Sequence, residues 1–132
     1  MTTQIAPGLI GEATIVVGEQ DLASAHGSGQ VHVFATPAMI ALMERASLSA
    51  VDHLLPEGNV TVGARIDATH VSPTPPGMKV TARAELKTVE GRKLTFHVEA
   101  HDEVDKIGEA THERVIVDVN RLITRAQSKA AR

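Results

Sequence analysis

The period of the hydrophobic positions changes twice along the chain. Over residues 9–17 the pattern alternates loosely, with Leu9, Gly11, Ala13, Ile15 and Val17 on one side, which predicts a first strand. The polar, glycine-containing stretch 18–29 reads as a loop able to cover something. Then Met39, Leu42, Met43, Ala46, Ala50 and Leu54 recur at three- and four-residue spacing, which makes one apolar helical stripe. Thr36 and Pro37 give the start signal: Thr caps free N–H groups and Pro suits the first helical position. Pro56 and Gly58 end the helix.

Beyond Gly58 the period of two returns. Val60, Val62, Ala64, Ile66 and Ala68 share a face, with Thr61, Arg65, Asp67 and Thr69 opposite. The run Ser72-Pro73-Thr74-Pro75-Pro76-Gly77 breaks the chain. Met78, Val80, Ala82, Ala84 and Leu86 alternate with polar residues, and the turn at Glu90-Gly91 predicts a hairpin to Leu94, Phe96, Val98 and Ala100. Residues 107–119 form a last strand whose imperfect alternation predicts a bulge or bend. The fold class is therefore α+β: one strand, one helix, then four strands in antiparallel hairpins. A helix of about five turns cannot cover a five-stranded sheet on both sides, so the sheet should wrap around it.

The chain of 132 residues makes one domain, 1–132, with 1–8 and 121–132 read as frayed tails. A net charge of −3 gives no electrostatic grip on nucleic acid, and two Phe with no Trp or Tyr leave little for base stacking. No apolar run is long enough to span a bilayer. The absence of cysteine removes thiolate metal sites and a Cys nucleophile, and, with no leader pattern over 1–10, fits a cytoplasmic setting.

Three residues invite a chemical reading, each beside a structural one. His70 continues the apolar row of its strand and so should point at the helix, either as a satisfied core histidine or as a base in a dry cleft. Glu44 sits beside the helical stripe, either as a solvated flank or as a carboxylate that activates water or attacks a carbonyl. Thr36 is a helix cap or, at the helix N-terminus, part of an oxyanion site. Eight residues of helix rise about 12 Å, so Thr36 and Glu44 cannot touch within one chain unless something lies between them. His97 and His101 stand about 13 Å apart along a strand, too far for one metal ion, and read as surface residues. Arg114 reads as a cross-strand ion pair or, less readily, as a contact to a ligand phosphate. No metal site and no cofactor is expected, and neither a phosphate loop nor a serine-hydrolase elbow is present.

Several stretches over residues 33–117 resemble the bacterial fluoroacetyl-CoA thioesterase family of hotdog-fold enzymes. They are Phe34-Ala35-Thr36, Leu42-Met43-Glu44, Gly63 with Thr69-His70, Thr74-Pro75-Pro76-Gly77, Val89-Glu90-Gly91-Arg92, Ala100-His101-Asp102 with Val104-Asp105, and Gly108 leading to Thr111-His112-Glu113-Arg114. The resemblance implies a hotdog fold, a homodimer and hydrolysis of a small acyl-CoA thioester, with CoA as part of the substrate. It also implies that Thr36, Glu44 and His70 form the catalytic set, with Gly63 and Phe34 placing substrate or water. The family's fluoroacetate-specific member has aromatic lid residues before the helix. Here residues 25–30 are Ala-His-Gly-Ser-Gly-Gln, which leaves the acyl group open. Two rival functions keep the same fold: a hydratase or dehydratase, and a non-catalytic acyl-CoA or small-ligand binder.

Overall fold

A computed structural model describes residues 5–131. The elements are β1 (Ile10–Val16), α1 (Thr36–Val51), β2 (Asn59–His70), β3 (Lys79–Glu90), β4 (Lys93–His101), β5 (Lys106–Asp118) and α2 (Val119–Ala130). All five strands form one antiparallel sheet in the order β1-β3-β4-β5-β2, so β1 and β2 are its edges. The sheet curls around α1, as the sequence pattern requires. No helix among the described residues is long and apolar enough to cross a membrane.

The core forms because small and large residues alternate across the helix–sheet contact. Val80, Ala82, Ala84 and Leu86 of β3 and Leu94, Phe96, Val98 and Ala100 of β4 are fully buried. They meet Met39, Leu42, Met43, Ala46 and Ala50 of α1, the residues of the expected stripe. The alanines allow the helix to sit close. The closest approach falls at Gly11, where a Cβ would lie 2.1 Å from the Ala46 carbonyl oxygen. At Gly108 a Cβ would lie 2.5 Å from the Thr69 carbonyl oxygen and 2.7 Å from Met39 Sδ.

Three local readings are corrected. Thr36 is not the cap: Ala35 holds that position, no side chain caps the helix, and Thr36 is the first helical residue. On β2, the register slips by one residue between Gly63 and Arg65, a bulge at Ala64. Before it Thr61 and Gly63 face inward; after it Ile66, Ala68 and His70 do. The expected row of Val60, Val62 and Ala64 is therefore on the outer side, whereas His70 points toward the helix as predicted. The third concerns residues 121–132, expected to fray. They continue α2 to Ala130, with the Asp118 carboxylate accepting from the Arg121 N–H at 3.1 Å as cap. At the other end, 1–4 lie outside the described residues and the Gly8 N–H donates to the Leu86 carbonyl. The irregularity expected in the last strand is present: Ala100 faces Gly108 while His101 faces Lys106, so Ile107 is the extra residue.

Replacing Gly11 with Ala should lower unfolding stability by on the order of 1–3 kcal/mol, because the helix must be pushed off the sheet. Urea denaturation measures this, and a neutral effect would mean that the helix–sheet spacing is slack.

Candidate active site

The start of α1 and the end of β2 converge on one hydrogen bond. Thr36 Oγ1 lies 2.7 Å from His70 Nδ1. The hydroxyl left without a capping duty is thus committed to the imidazole. The other ring nitrogen, Nε2, is buried and has no hydrogen-bond partner. Whichever tautomer is present, Nε2 offers an unused donor or lone pair, and a buried polar atom of this kind is costly unless something visits it. Burial pushes the His70 pKa below its ordinary value, with the Ser72 backbone acting against it.

Phe34 stands edge-on to His70, with ring centroids 6.4 Å apart. Together with Ala23, Val31, Val33 and Val71 these residues line an open cleft of about 330 Å³. The loop that walls it is tied to the body on both sides. The Phe34 N–H donates to the Thr74 carbonyl at 2.9 Å and the Ala35 N–H to the Asp21 carbonyl at 2.8 Å. Buried Thr74 donates its hydroxyl to Asp102 at 2.8 Å, and Asp102 also accepts from the N–H groups of Val104 and Asp105. The Thr74 and Asp102 stretches singled out in the sequence therefore fix the strap that carries Phe34.

Glu44 and Gly63 are elsewhere. Glu44 is half exposed and lies 4.0 Å from Arg114 Nη1. A Cβ on Gly63 would sit 3.3 Å from His112 Cε1, 3.5 Å from Arg114 Nη1 and 3.7 Å from Glu44 Oε1. The cross-strand ion pair expected for Arg114 is not formed. The guanidinium is buried and donates from Nε to Thr61 Oγ1 at 2.8 Å and from Nη2 to the Thr61 carbonyl at 2.9 Å. Its Nη1 donates to His112 Nε2 at 3.1 Å, while His112 Nδ1–H donates to the Arg65 carbonyl at 2.8 Å. These two bonds fix the neutral Nδ1–H tautomer. Burial, with the Arg114 charge adding to it, lowers the His112 pKa against the opposing Arg65 carbonyl, Glu44 and Glu113.

The structure thus joins Thr36, His70 and Phe34 in the cleft and joins Glu44 and Gly63 around Arg114, but does not bring the two groups together within a chain. His112 and Arg114 were underestimated from the sequence because a bulge on the neighbouring strand decides what they face. Alternation along β5 alone, which puts His112 and Arg114 in phase with buried Ala110, was the one available signal. His97 and His101 lie on the outer face as expected, both against Glu99, at 3.2 and 3.1 Å. Those bonds, His101 first, hold Glu99 down at about 2.

Residues 17–120 match the family described as fluoroacetyl-CoA-specific thioesterase. The fluoroacetyl-CoA thioesterase of Streptantibioticus cattleyicolor is 44% identical over 97 residues, which cover 74% of this chain and 70% of that protein. Among solved structures, the fluoroacetyl-CoA thioesterase FlK superposes with a TM-score of 0.90 at 34% identity, covering 96% of this chain and 98% of that one. A thioesterase superfamily member from Thermus thermophilus gives 0.88 at 29% identity, with 98% of each chain covered.

Two outcomes follow from these environments. Replacing His112 with Phe keeps the volume but strands the Arg114 N–H and the Arg65 carbonyl, and should cost on the order of 3 kcal/mol in urea unfolding. Wild-type stability in that variant would mean that the hydrogen bonds are dispensable. His70 and His112 both have pKa values lowered on folding. Their contribution is complete above the unfolded value of about 6.5 and is lost as pH falls through the folded values. Thermal midpoints should therefore decline as pH falls below about 6.5, and the decline should be shallower in His70→Gln. Equal slopes would remove His70 from this effect.

Proposed function

The chain belongs to the fluoroacetyl-CoA-specific thioesterase family and is an acyl-CoA thioesterase; we propose that it works as a homodimer whose site unites Thr36 and His70 of one protomer with Glu44 of the partner subunit. The observation that carries this reading is the Thr36–His70 hydrogen bond in the cleft, with Nε2 of His70 free for a reacting group.

The edge strand supports the dimer. β2 is long, its outer edge has no partner strand, and its inward Ile66 and Ala68 are only half buried because α1 lies mainly across β1 and β3. Antiparallel pairing of two β2 edges is the self-complementary solution. Gly63 and His70 are seven residues apart, on the order of 20 Å along the strand. A two-fold axis midway between them sets Gly63 of the partner subunit opposite His70. Glu44 of the partner subunit then flanks the cleft that its own chain cannot reach.

In the reaction the thioester carbonyl sits against the Thr36 hydroxyl and the uncapped start of α1, which stabilise the oxyanion as the tetrahedral carbon forms. Glu44 of the partner subunit either takes a proton from the attacking water or attacks the carbonyl itself, giving an anhydride that water then opens. The C–S bond breaks with its electron pair on sulfur; with Nδ1–H donating to Thr36, the Nε2 lone pair of His70 takes up the proton released by the attacking water, by way of Glu44, and hands it to the thiolate, which leaves as free CoA thiol. Gly63 leaves room beside the carboxylate for water or the acyl group. Apart from Phe34, the loop contributes only small residues to the cleft, Ala23, Ser28, Val31 and Val33, which leave room for a short acyl chain.

CoA release from a panel of short acyl-CoAs, fluoroacetyl-CoA included, tests the assignment. Thr36→Ala, His70→Ala and Glu44→Gln should each lose about a hundredfold or more in kcat. Full activity in His70→Ala or Glu44→Gln would remove that residue from the chemistry. Mixing and re-equilibrating His70→Ala with Glu44→Gln chains should restore about a quarter of wild-type activity, since each mixed dimer has one intact site. No recovery would place each site within a single chain.

A further inference from the structure

We propose that the basic face of α2 binds the diphosphate and 3′-phosphate of the CoA moiety, at the mouth of the partner subunit's cleft. This rests on the thioesterase and dimer readings above and names what holds the nucleotide end of the substrate.

The charge distribution is the first observation. Residues 1–118 hold nine Lys and Arg against 16 Asp and Glu, whereas residues 119–132 hold four against none. An acidic body of net charge −7 over residues 1–118 is therefore followed by a segment of net charge +4, which favours a polyanionic substrate. On α2, Arg121, Arg125 and Lys129 recur at four-residue spacing and so share a face. All three are exposed. Arg121 and Arg125 line a shallow groove of about 450 Å³ with Asn120, Thr124 and Ser128. An adjoining one of about 230 Å³ brings Arg92, from the β3–β4 turn, beside Arg121. Among the described residues none of these four cations meets a carboxylate within 4.0 Å, whereas Arg83, Lys87, Lys93, Lys106 and Arg114 all do. They are available for an anion, and Arg with hydroxyl and amide neighbours suits phosphate.

The second observation is what the cleft lacks. Of the ten residues lining it, none is Lys or Arg. The pantetheine arm separates the thioester from the phosphates, so they must be met beyond the rim. The third is where α2 starts. Val119 N–H donates to the Gly58 carbonyl at 2.9 Å, and Asp118 pairs with Asn59, so α2 is rooted at the first residue of β2. Within one chain that is the end of the strand away from His70. Antiparallel β2 pairing reverses this, setting the start of one β2 beyond the end of the other, next to Val71 and Ser72 of the cleft wall. The basic face of one protomer thereby reaches the opening of its partner's site.

The experiment compares the double variant Arg121→Glu/Arg125→Glu with wild type on an acyl-CoA and on the same acyl group carried by phosphate-free pantetheine. KM for the acyl-CoA should rise by roughly tenfold or more, with kcat kept and with KM for the pantetheine thioester unchanged. The wild-type KM for the acyl-CoA should climb with salt, and this dependence should flatten in the variant. Equal KM values in variant and wild type overturn the proposal while leaving the thioesterase intact. If wild type cleaves neither thioester, calorimetric titration with CoA itself still decides: affinity lost in the double variant supports the site, and unchanged affinity overturns it. Binding of wild type to phosphatidylglycerol vesicles, with CoA affinity equal in both proteins, also overturns it and assigns the helix to an anionic membrane surface. Arg121→Gln/Arg125→Gln, which keeps helix propensity, should show a smaller change in the same direction, and circular dichroism checks that α2 persists.

Discussion

One helix has to cover five strands. A helix is about 10 Å across, and five strands at the usual spacing span about 19 Å. Curling the sheet closes part of the difference, and alanines at the centre of β3 and β4 draw α1 close, but α1 still lies mainly over β1 and β3. The inner faces of β5 and β2 are left at the margin of the core. Among the described residues, the inward imidazole and guanidinium groups stand at that margin. His70, His112 and Arg114 all stand there, and the fully covered part of the sheet is aliphatic apart from Phe96. The chemistry sits where the packing runs out.

The margin is polar in two different ways. Around Arg114 each guanidinium nitrogen has a partner: Thr61, its carbonyl and His112 take one bond each, and Asp52 in turn accepts the Thr61 hydroxyl at 2.6 Å. This network fixes geometry, since a buried charge is tolerated only when its hydrogen bonds are met. Around His70 one bond is made and one atom is left idle. A completed network therefore stands beside an incomplete one: the first fixes Arg114 and His112 in place, and the second leaves Nε2 of His70 without a partner.

The parts of this arrangement legible in the sequence are those set by short-range period. The stripe of Met39, Leu42, Met43, Ala46 and Ala50, the hairpin at Glu90-Gly91 and the inward aim of His70 all follow from spacing within one element. Other features depend on a partner element. Nothing in 59–70 marks Ala64 as the bulge, because Val60, Val62, Ala64, Ile66 and Ala68 alternate without a break and the slip shows only in the pairing with β5. Thr36 has the composition of a cap, yet its hydroxyl is drawn to an imidazole 34 residues away. Arg114 looks like a surface cation because its acceptors, Thr61 and His112, are not acids. Residues 121–132 lack tertiary packing in one chain, so only the cap at Asp118 and the three-and-four spacing of Leu122, Ile123 and Ala126 argued for a helix there.

The bulge at Ala64 ties these threads together. In a regular strand, residues an odd number apart face opposite sides, so Gly63 and His70 could not both look inward. One inserted residue changes the parity, and both ends of β2 then serve the interior: Thr61 and Gly63 beside Arg114 and Glu44, Ile66 to His70 beside Thr36. A single edge strand thus carries two half-sites facing the same way. Within one chain they are too far apart to cooperate. Under the proposed pairing of two such strands, each half would meet its complement twice over. The same one-residue insertion that hides the site from a reading of alternation is what makes a symmetric, shared site geometrically available.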